Sequence, residues 1–151
     1  MNPADPQRMR VAAGRETLRR IHGYLENGVS FAIETTLASK RALETMREAK
    51  TRGFTVQIAY VCLNTPERCI LRVQQRALQG GHDVPDEDIR RRYDRSLANL
   101  PEAILVADRA ILYDNSENEY RKILELQHDL IHWRATKEPQ WVAVVRVALL
   151  R

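Results

Sequence analysis

The sequence is short of glycine, lysine, cysteine and aromatic residues, and each shortage narrows what the chain does. Glycine occurs only at positions 14, 23, 28, 53, 80 and 81, and none is followed by Lys-Ser or Lys-Thr. The phosphate-cradling loop G-x-x-x-x-G-K-[ST] is therefore absent from it. Two cysteines, Cys62 and Cys69, form no C-x-x-C and have no second pair, which argues against a disulfide framework or a zinc site and fits structural thiols in a reducing compartment. The four histidines (His22, His82, His128, His132) lack ligand spacing, so no metal site is expected from them. Aromatics at 6% leave little for base stacking, which disfavours nucleic acid as a partner. No apolar run approaches the roughly 20 residues that span a bilayer, and Met1–Pro6 lacks a secretory layout; the expected location is the cytoplasm.

What the sequence does hold is 151 residues, enough for one domain with a real core, and 24 basic residues against 20 acidic. Of the basic residues 20 are Arg and 4 are Lys. Arginine binds carboxylate and phosphate through a planar fork, so the bias points toward an anionic partner, although GC-rich coding produces the same bias.

Helical and strand-like runs alternate. Val11, Leu18, Ile21 and Leu25 form one apolar stripe on a helix from Gln7 to about Asn27. Val29–Ile33 reads as a short buried strand, and Ser39 as the cap of a helix reaching Thr51 with Gly53 at its end. Phe54–Leu63 is the clearest buried strand. Thr65-Pro66-Glu67 opens a helix to about Gln79, stopped by Gly80 and Gly81. Pro85–Asp88 opens another to about Asn99, which Leu100-Pro101 is expected to interrupt before a short helical piece to Ala107. Arg109–Tyr113 reads as a strand. Tyr120–Leu126 and Leu130–Ala135 read as a hairpin, though Leu126 also suits a helix continued from Glu117, and Glu138-Pro139 opens a last helix through Leu150.

This order predicts an α/β fold, a parallel sheet with helices on both faces. Ligands in such sheets bind beyond the carboxyl ends of the strands, which directs attention to Glu34–Thr36, Asn64, Thr65 and Asp114–Ser116. Within the helix from Thr65, Arg68, Arg72 and Arg76 share one face, opposite Ile70, Val73 and Ala77. In the next helix Ile89, Tyr93, Leu97 and Leu100 form the stripe, with Arg91 and Arg95 far from it and Arg90 and Arg92 flanking it. Such a pair is either two solvated amphipathic helices whose arginines find nearby carboxylates, or a hinged hairpin that closes over a polyphosphate.

The segments Phe31-Ala32-Ile33-Glu34-Thr35-Thr36-Leu37-Ala38-Ser39, Arg72-Val73-x-x-Arg76, Gly80-Gly81-His82-x-Val84-Pro85, Ile89-x-Arg91-Arg92-x-x-Arg95-Ser96 and Tyr113-Asp114-Asn115-Ser116 resemble, in order, the zeta-toxin-like P-loop kinases. The resemblance implies a three-layer α/β/α kinase domain over residues 1–151, with residues 65–99 as a helical lid and a C-terminal hairpin plus helix. It implies an ATP- and Mg2+-dependent phosphotransferase acting on a small-molecule hydroxyl such as that of a nucleotide sugar, with an antitoxin-like protein as partner. By that likeness Arg76 and Arg91 approach the transferring phosphates and Arg72, Arg92 and Arg95 contact the nucleotide. Asp114 and Asn115 lie near the adenine, and Glu34 and Thr36 line the acceptor side.

The phosphate loop and the general-base Asp of that family have no counterpart in these residues, and Asn2-Pro3 resembles the Asn-Pro that follows the missing part. The chain thus looks like the family without its first strand, phosphate loop, first helix and second strand, through a late start of the reading frame or a natural loss. Expected consequences are no kinase turnover by these residues alone and self-association through an exposed sheet edge. A competing reading from another class is a non-catalytic arginine-rich module that binds nucleic acid or an acidic protein by charge.

Overall fold

The computed structural model describes residues 6–117 and 119–149. Leu150 and the Asn2-Pro3 pair lie outside the described residues. Helix α1 spans Pro6–Glu26, α2 Lys40–Thr51, strand β1 Gln57–Cys62, α3 Pro66–Leu78, α4 Asp86–Val106 and β2 Arg109–Asp114. Strands β3 (Arg121–Gln127) and β4 (Leu130–Arg134) follow, then a 3-10 turn at Gln140–Val142 and helix α5 at Ala143–Leu149.

The strands form one sheet in the order β1-β2-β3-β4. β1 and β2 are parallel, as the helical connection through α3 and α4 requires, with Tyr60 opposite Leu112 and Cys62 opposite Asp114. β3 and β4, the expected C-terminal hairpin, add to β2 in antiparallel fashion, so the hairpin joins the parallel β1-β2 pair in one mixed sheet. The reason is local: a two-residue turn joins β3 to β4, and only antiparallel neighbours accept so short a link. His128 and Asp129 make that turn with φ of 48° and 64°, the left-handed pair that such hairpins need, without the Asn-Gly that usually announces it.

The core lies on one face of the sheet. Tyr60, Cys62, Ala110 and Leu112 pack there against Leu43 of α2, Leu100 and Ile104 of α4, and Trp141, Val142 and Val145 at the C-terminal end. On the opposite face Ala59 and Val61 are exposed, so the two-sided covering predicted from the element order is not met among the described residues. A smaller cluster joins Ile21 and Leu25 of α1 to Ala49 and Val56, with Phe31 and Phe54 beside it.

Three further expectations are corrected. Val29–Ile33 is not a strand: residues 29–36 are irregular, and Val29 and Ile33 stand 47% and 43% exposed. The segment has no strand to pair with, and a strand exists only by its ladder. Pro101 does not interrupt α4, which runs through it for 21 residues. Leu100 and Ala103 on either side are fully buried, and their packing outweighs the one helical hydrogen bond the proline ring removes. Ser39 occupies the N-cap position of α2 with extended backbone, yet its side chain makes no capping bond. Thr65 does cap α3, its hydroxyl accepting from the Arg68 N–H at 3.4 Å, with Pro66 at the first helical position.

Candidate functional site

The carboxyl ends of β1 and β2 are tied together by a buried polar knot. The Asn115 N–H donates to the Cys62 carbonyl (2.9 Å), and the Asn64 N–H donates to Ser116 Oγ (2.8 Å). Ser116 Oγ in turn donates to Asp114 Oδ1 (2.8 Å), which also accepts from Trp141 Nε1 at 3.3 Å. Arg121 stands 3.6 Å from the other oxygen of Asp114. Asp114, Asn115 and Ser116 are all buried, and among the described residues no fully buried side-chain nitrogen or oxygen lacks a hydrogen-bond partner.

Two of the arginines of α3 belong to this knot. Arg68 donates to the Ser116 carbonyl and Arg72 to the Asn115 carbonyl, both at 2.5 Å, and Arg72 also reaches Asn115 Oδ1 at 3.4 Å. Three turns of one helix face thus separate by role: the first two arginines anchor α3 to the strand ends, and Arg76 projects beyond them. On α4, Arg91 pairs with Asp88 at 2.6 Å and Arg90 bonds Glu67 of α3, holding the Glu67 carboxyl below its ordinary range. The Tyr93 hydroxyl donates to the Leu63 and Asn64 carbonyls (2.9 and 3.1 Å), fixing α4 to the end of β1. Arg76, Arg92 and Arg95 are exposed and have no partner among the described residues.

The glycine pair between the helices closes α3 rather than forming a free hinge. Gly80 sits at φ 89° and donates to the Ala77 carbonyl (3.0 Å), while Gly81 donates to the Arg76 carbonyl (2.9 Å), the paired bonds of a Schellman end. A Cβ on Gly81 would lie 2.7 Å from both Cγ and the carbonyl oxygen of Arg76, so the loop packs directly on that arginine.

Glu34 and Thr36 lie on the irregular segment that borders the outer edge of β1, and both are exposed. Their position is set by Leu37, which is 3% exposed and held at φ 57°. Its N–H donates to Thr35 Oγ1 (3.2 Å) and its carbonyl accepts from the buried Asn99 amide (2.8 Å). A left-handed leucine costs about 1–2 kcal/mol and persists only where its surroundings demand it. Asn99 and Leu37 escape sequence reading because an amide next to an apolar stripe carries no pattern of its own.

The cysteines are free thiols, and burial pushes Cys62 up to about 11 and raises Cys69, so both stay protonated and unreactive near neutrality. Among the described residues no group of three or more His, Cys, Asp or Glu is placed to hold a metal ion, and no helix is long and apolar enough to cross a membrane. The donors present therefore fit a phosphate group through unpaired guanidinium groups. They do not fit the rest of an ATP-Mg2+ site: no phosphate loop is in the sequence, and Asp114 is buried with Oδ1 accepting from Ser116 and Trp141 and Oδ2 facing Arg121.

A mixed α/β domain with an arginine-bearing helical hairpin beside its strand ends is the class that fold and site define. The zeta toxin family model matches residues 12–125, and the chain belongs to that family. A protein of Haemophilus influenzae described only as uncharacterised is 29% identical over 93 residues, which is 62% of this chain. That stretch spans just under two thirds, 66%, of the Haemophilus protein. No solved structure matches significantly.

Proposed function

We propose that this chain carries the lid and acceptor-side portions of a kinase-type phosphotransferase site in the cytoplasm, acting on a small-molecule hydroxyl such as that of a nucleotide sugar. The observation that carries this reading is the division among the seven arginines of α3 and α4. Arg68, Arg72, Arg90 and Arg91 are each bonded within the fold, while Arg76, Arg92 and Arg95 are exposed with no partner among the described residues. Guanidinium groups held on packed helices and aimed at solvent stabilise charge on a transferring phosphoryl group without reorganising when it develops. Arg91 takes that part only after leaving Asp88, so Arg76 is the stronger candidate of the two. Glu34 and Thr36, set by the Leu37–Asn99 contact, face the acceptor and orient its hydroxyl by hydrogen bonding.

The residues of this sequence include no group that cradles a triphosphate and none assigned to deprotonate the acceptor, so the 151-residue chain alone turns over no ATP. ATP consumption measured with a panel of nucleotide sugars tests this, and robust turnover without a phosphate loop overturns it. The alternative, a non-catalytic module for nucleic acid or an acidic antitoxin-like protein, draws on the same three arginines. Salt-dependent binding of arbitrary DNA that outcompetes tripolyphosphate selects the module over the phosphotransferase.

A further inference from the structure

Helical geometry separates the exposed arginines of α4 from the arginine row of α3. Arg90 reaches Glu67, so its side of α4 faces α3. Arg92 lies two residues on, about 160° around the axis, and therefore looks away from α3. What it looks toward is set by the residues seven further along, where a helix returns to within about 20° of the same direction. Asn99, seven residues after Arg92, bonds the Leu37 carbonyl at 2.8 Å. Glu102, seven residues after Arg95, pairs with Lys40 at 3.2 Å and with Arg47 of α2. Two independent contacts thus place Arg92 and Arg95 on the side of α4 along which residues 37–40 run.

From Asn99 the two arginines rise toward the start of α4 by about 6 Å for Arg95 and about 10 Å for Arg92. Thr36 immediately precedes Leu37 and Glu34 precedes Thr36 by two residues, and both are exposed. Arg92, Arg95 and Glu34 have no side-chain partner among the described residues. Other charges on this side of α4 are neutralised already: Arg91 by Asp88, and Glu102 by Lys40 and Arg47. Arg76 belongs to a different surface, because it shares its helix face with Arg68 and Arg72, which bond the Ser116 and Asn115 carbonyls beyond β2.

We propose that Arg92 and Arg95 form an anion site separate from Arg76, and that it holds a phosphate ester carried by the acceptor itself while Glu34 and Thr36 bind the acceptor's hydroxyl groups. This departs from the nucleotide contacts that the family likeness implies for Arg92 and Arg95. Each guanidinium offers a bidentate fork, and two forks together neutralise a phosphate dianion. The Glu34 carboxylate repels that phosphate and accepts hydrogen bonds from hydroxyl groups, so the ligand is oriented with its phosphate at α4 and its hydroxyls at residues 34–36. A free sugar lacks the charge for one end of this site, and an inorganic polyphosphate lacks the hydroxyls for the other. A sugar phosphate and a nucleotide sugar supply both. Calling the ligand an acceptor rests on the phosphotransfer reading, whereas the anion site itself does not.

The test is calorimetric titration of the 151-residue chain with glucose 1-phosphate, UDP-glucose and glucose at fixed ionic strength. At least one of the two phosphate esters is expected to bind and glucose is not, and the tighter ester names the source of the phosphate. Arg92→Ala and Arg95→Ala remove exposed, unpaired side chains, so each is expected to keep the parent's Tm while weakening ester binding about tenfold. Arg76→Ala is expected to change it less than about twofold. Bound ester is expected to slow amide exchange at Thr36 and Leu37, which attraction to α4 alone does not do. If an arginine variant melts lower than the parent, exchange on the parent chain still decides. Binding of neither ester overturns the proposal, as does an equal loss in Arg76→Ala or binding that leaves the amides of residues 34–37 unchanged. Ester binding with the expected pattern, but tripolyphosphate binding indifferent to Arg76→Ala, supports the anion site and overturns the phosphotransfer reading. Tripolyphosphate binding that needs Arg76, without ester binding, does the reverse.

Discussion

The side-chain amide of Asn99 on α4 donates to the carbonyl oxygen of Leu37 at 2.8 Å and holds that leucine in the left-handed region at φ 57°. Sixty-two residues of sequence separate the two, and the contact places Glu34–Thr36 relative to α4. Asn99→Ala leaves a buried carbonyl without its donor and is expected to cost about 1–3 kcal/mol. Urea unfolding reads this as a lower midpoint at unchanged slope, and an unchanged midpoint contradicts it.

Arg72 and Arg76 are one turn apart and differ in role. Arg72→Ala removes the bond to the Asn115 carbonyl and is expected to destabilise by about 1–2 kcal/mol. Arg76→Ala is expected to change stability by less than about 0.5 kcal/mol, as exposed substitutions do, while weakening tripolyphosphate binding several-fold. Calorimetric titration and thermal melts on the two variants separate these effects, and equal loss of stability in both removes the distinction.

Gly81 lies against Arg76. An alanine there meets the Arg76 carbonyl oxygen at 2.7 Å, and the backbone of a helix end gives way only by breaking the Schellman bonds. Gly81→Ala is expected to cost more than about 1 kcal/mol and to fray the last turn of α3, seen as faster amide exchange of Gly80 and residue 81. A variant as stable and as protected as the parent argues that the loop reseats freely.

On the far face of the sheet, hydrogen bonds from Lys122 and Arg109 hold the Glu125 carboxyl at about 2, below its ordinary 4.5. A carboxylate depressed in the folded state stabilises above its unfolded value, and that contribution is lost as pH falls from about 4.5 toward 2. The Tm of Glu125→Gln is therefore expected to lie below that of the parent at neutral pH, with the gap shrinking as pH falls from about 4.5 toward 2 and closing only below it. A gap as wide at pH 2 as at neutral pH assigns the loss to packing instead.

Much of the architecture is legible along the chain because it is local. The helices from Thr65-Pro66 and Pro85, the strands at Gln57–Cys62 and Arg109–Asp114 and the β3–β4 hairpin all announce themselves through apolar spacing and end signals. The one-sided arginine row on α3 is likewise a matter of 100° steps. What the row does is not local: Arg68 and Arg72 find carbonyls more than forty residues away, and nothing in their spacing separates them from Arg76. Pro101 reads as a stop because propensity counts one lost hydrogen bond, whereas the folded chain weighs it against the burial of Leu100, Ala103 and Ile104. Val29–Ile33 reads as a strand because composition reports a preference for extended backbone, but a strand needs a neighbour to complete its ladder.

The sequence by itself determined the zeta toxin family, the order of helices and strands, the supply of arginines and the absence of a phosphate loop. Tertiary structure alone decided which arginines are spent on the fold and which face solvent, that the helices of the core gather on one face of a mixed sheet, and that the outer edge of β1 lies open. The physical reason is the range of the interactions. Periodicity and capping act within a few residues, whereas the partners of a guanidinium group or a strand edge are chosen by packing across the whole domain.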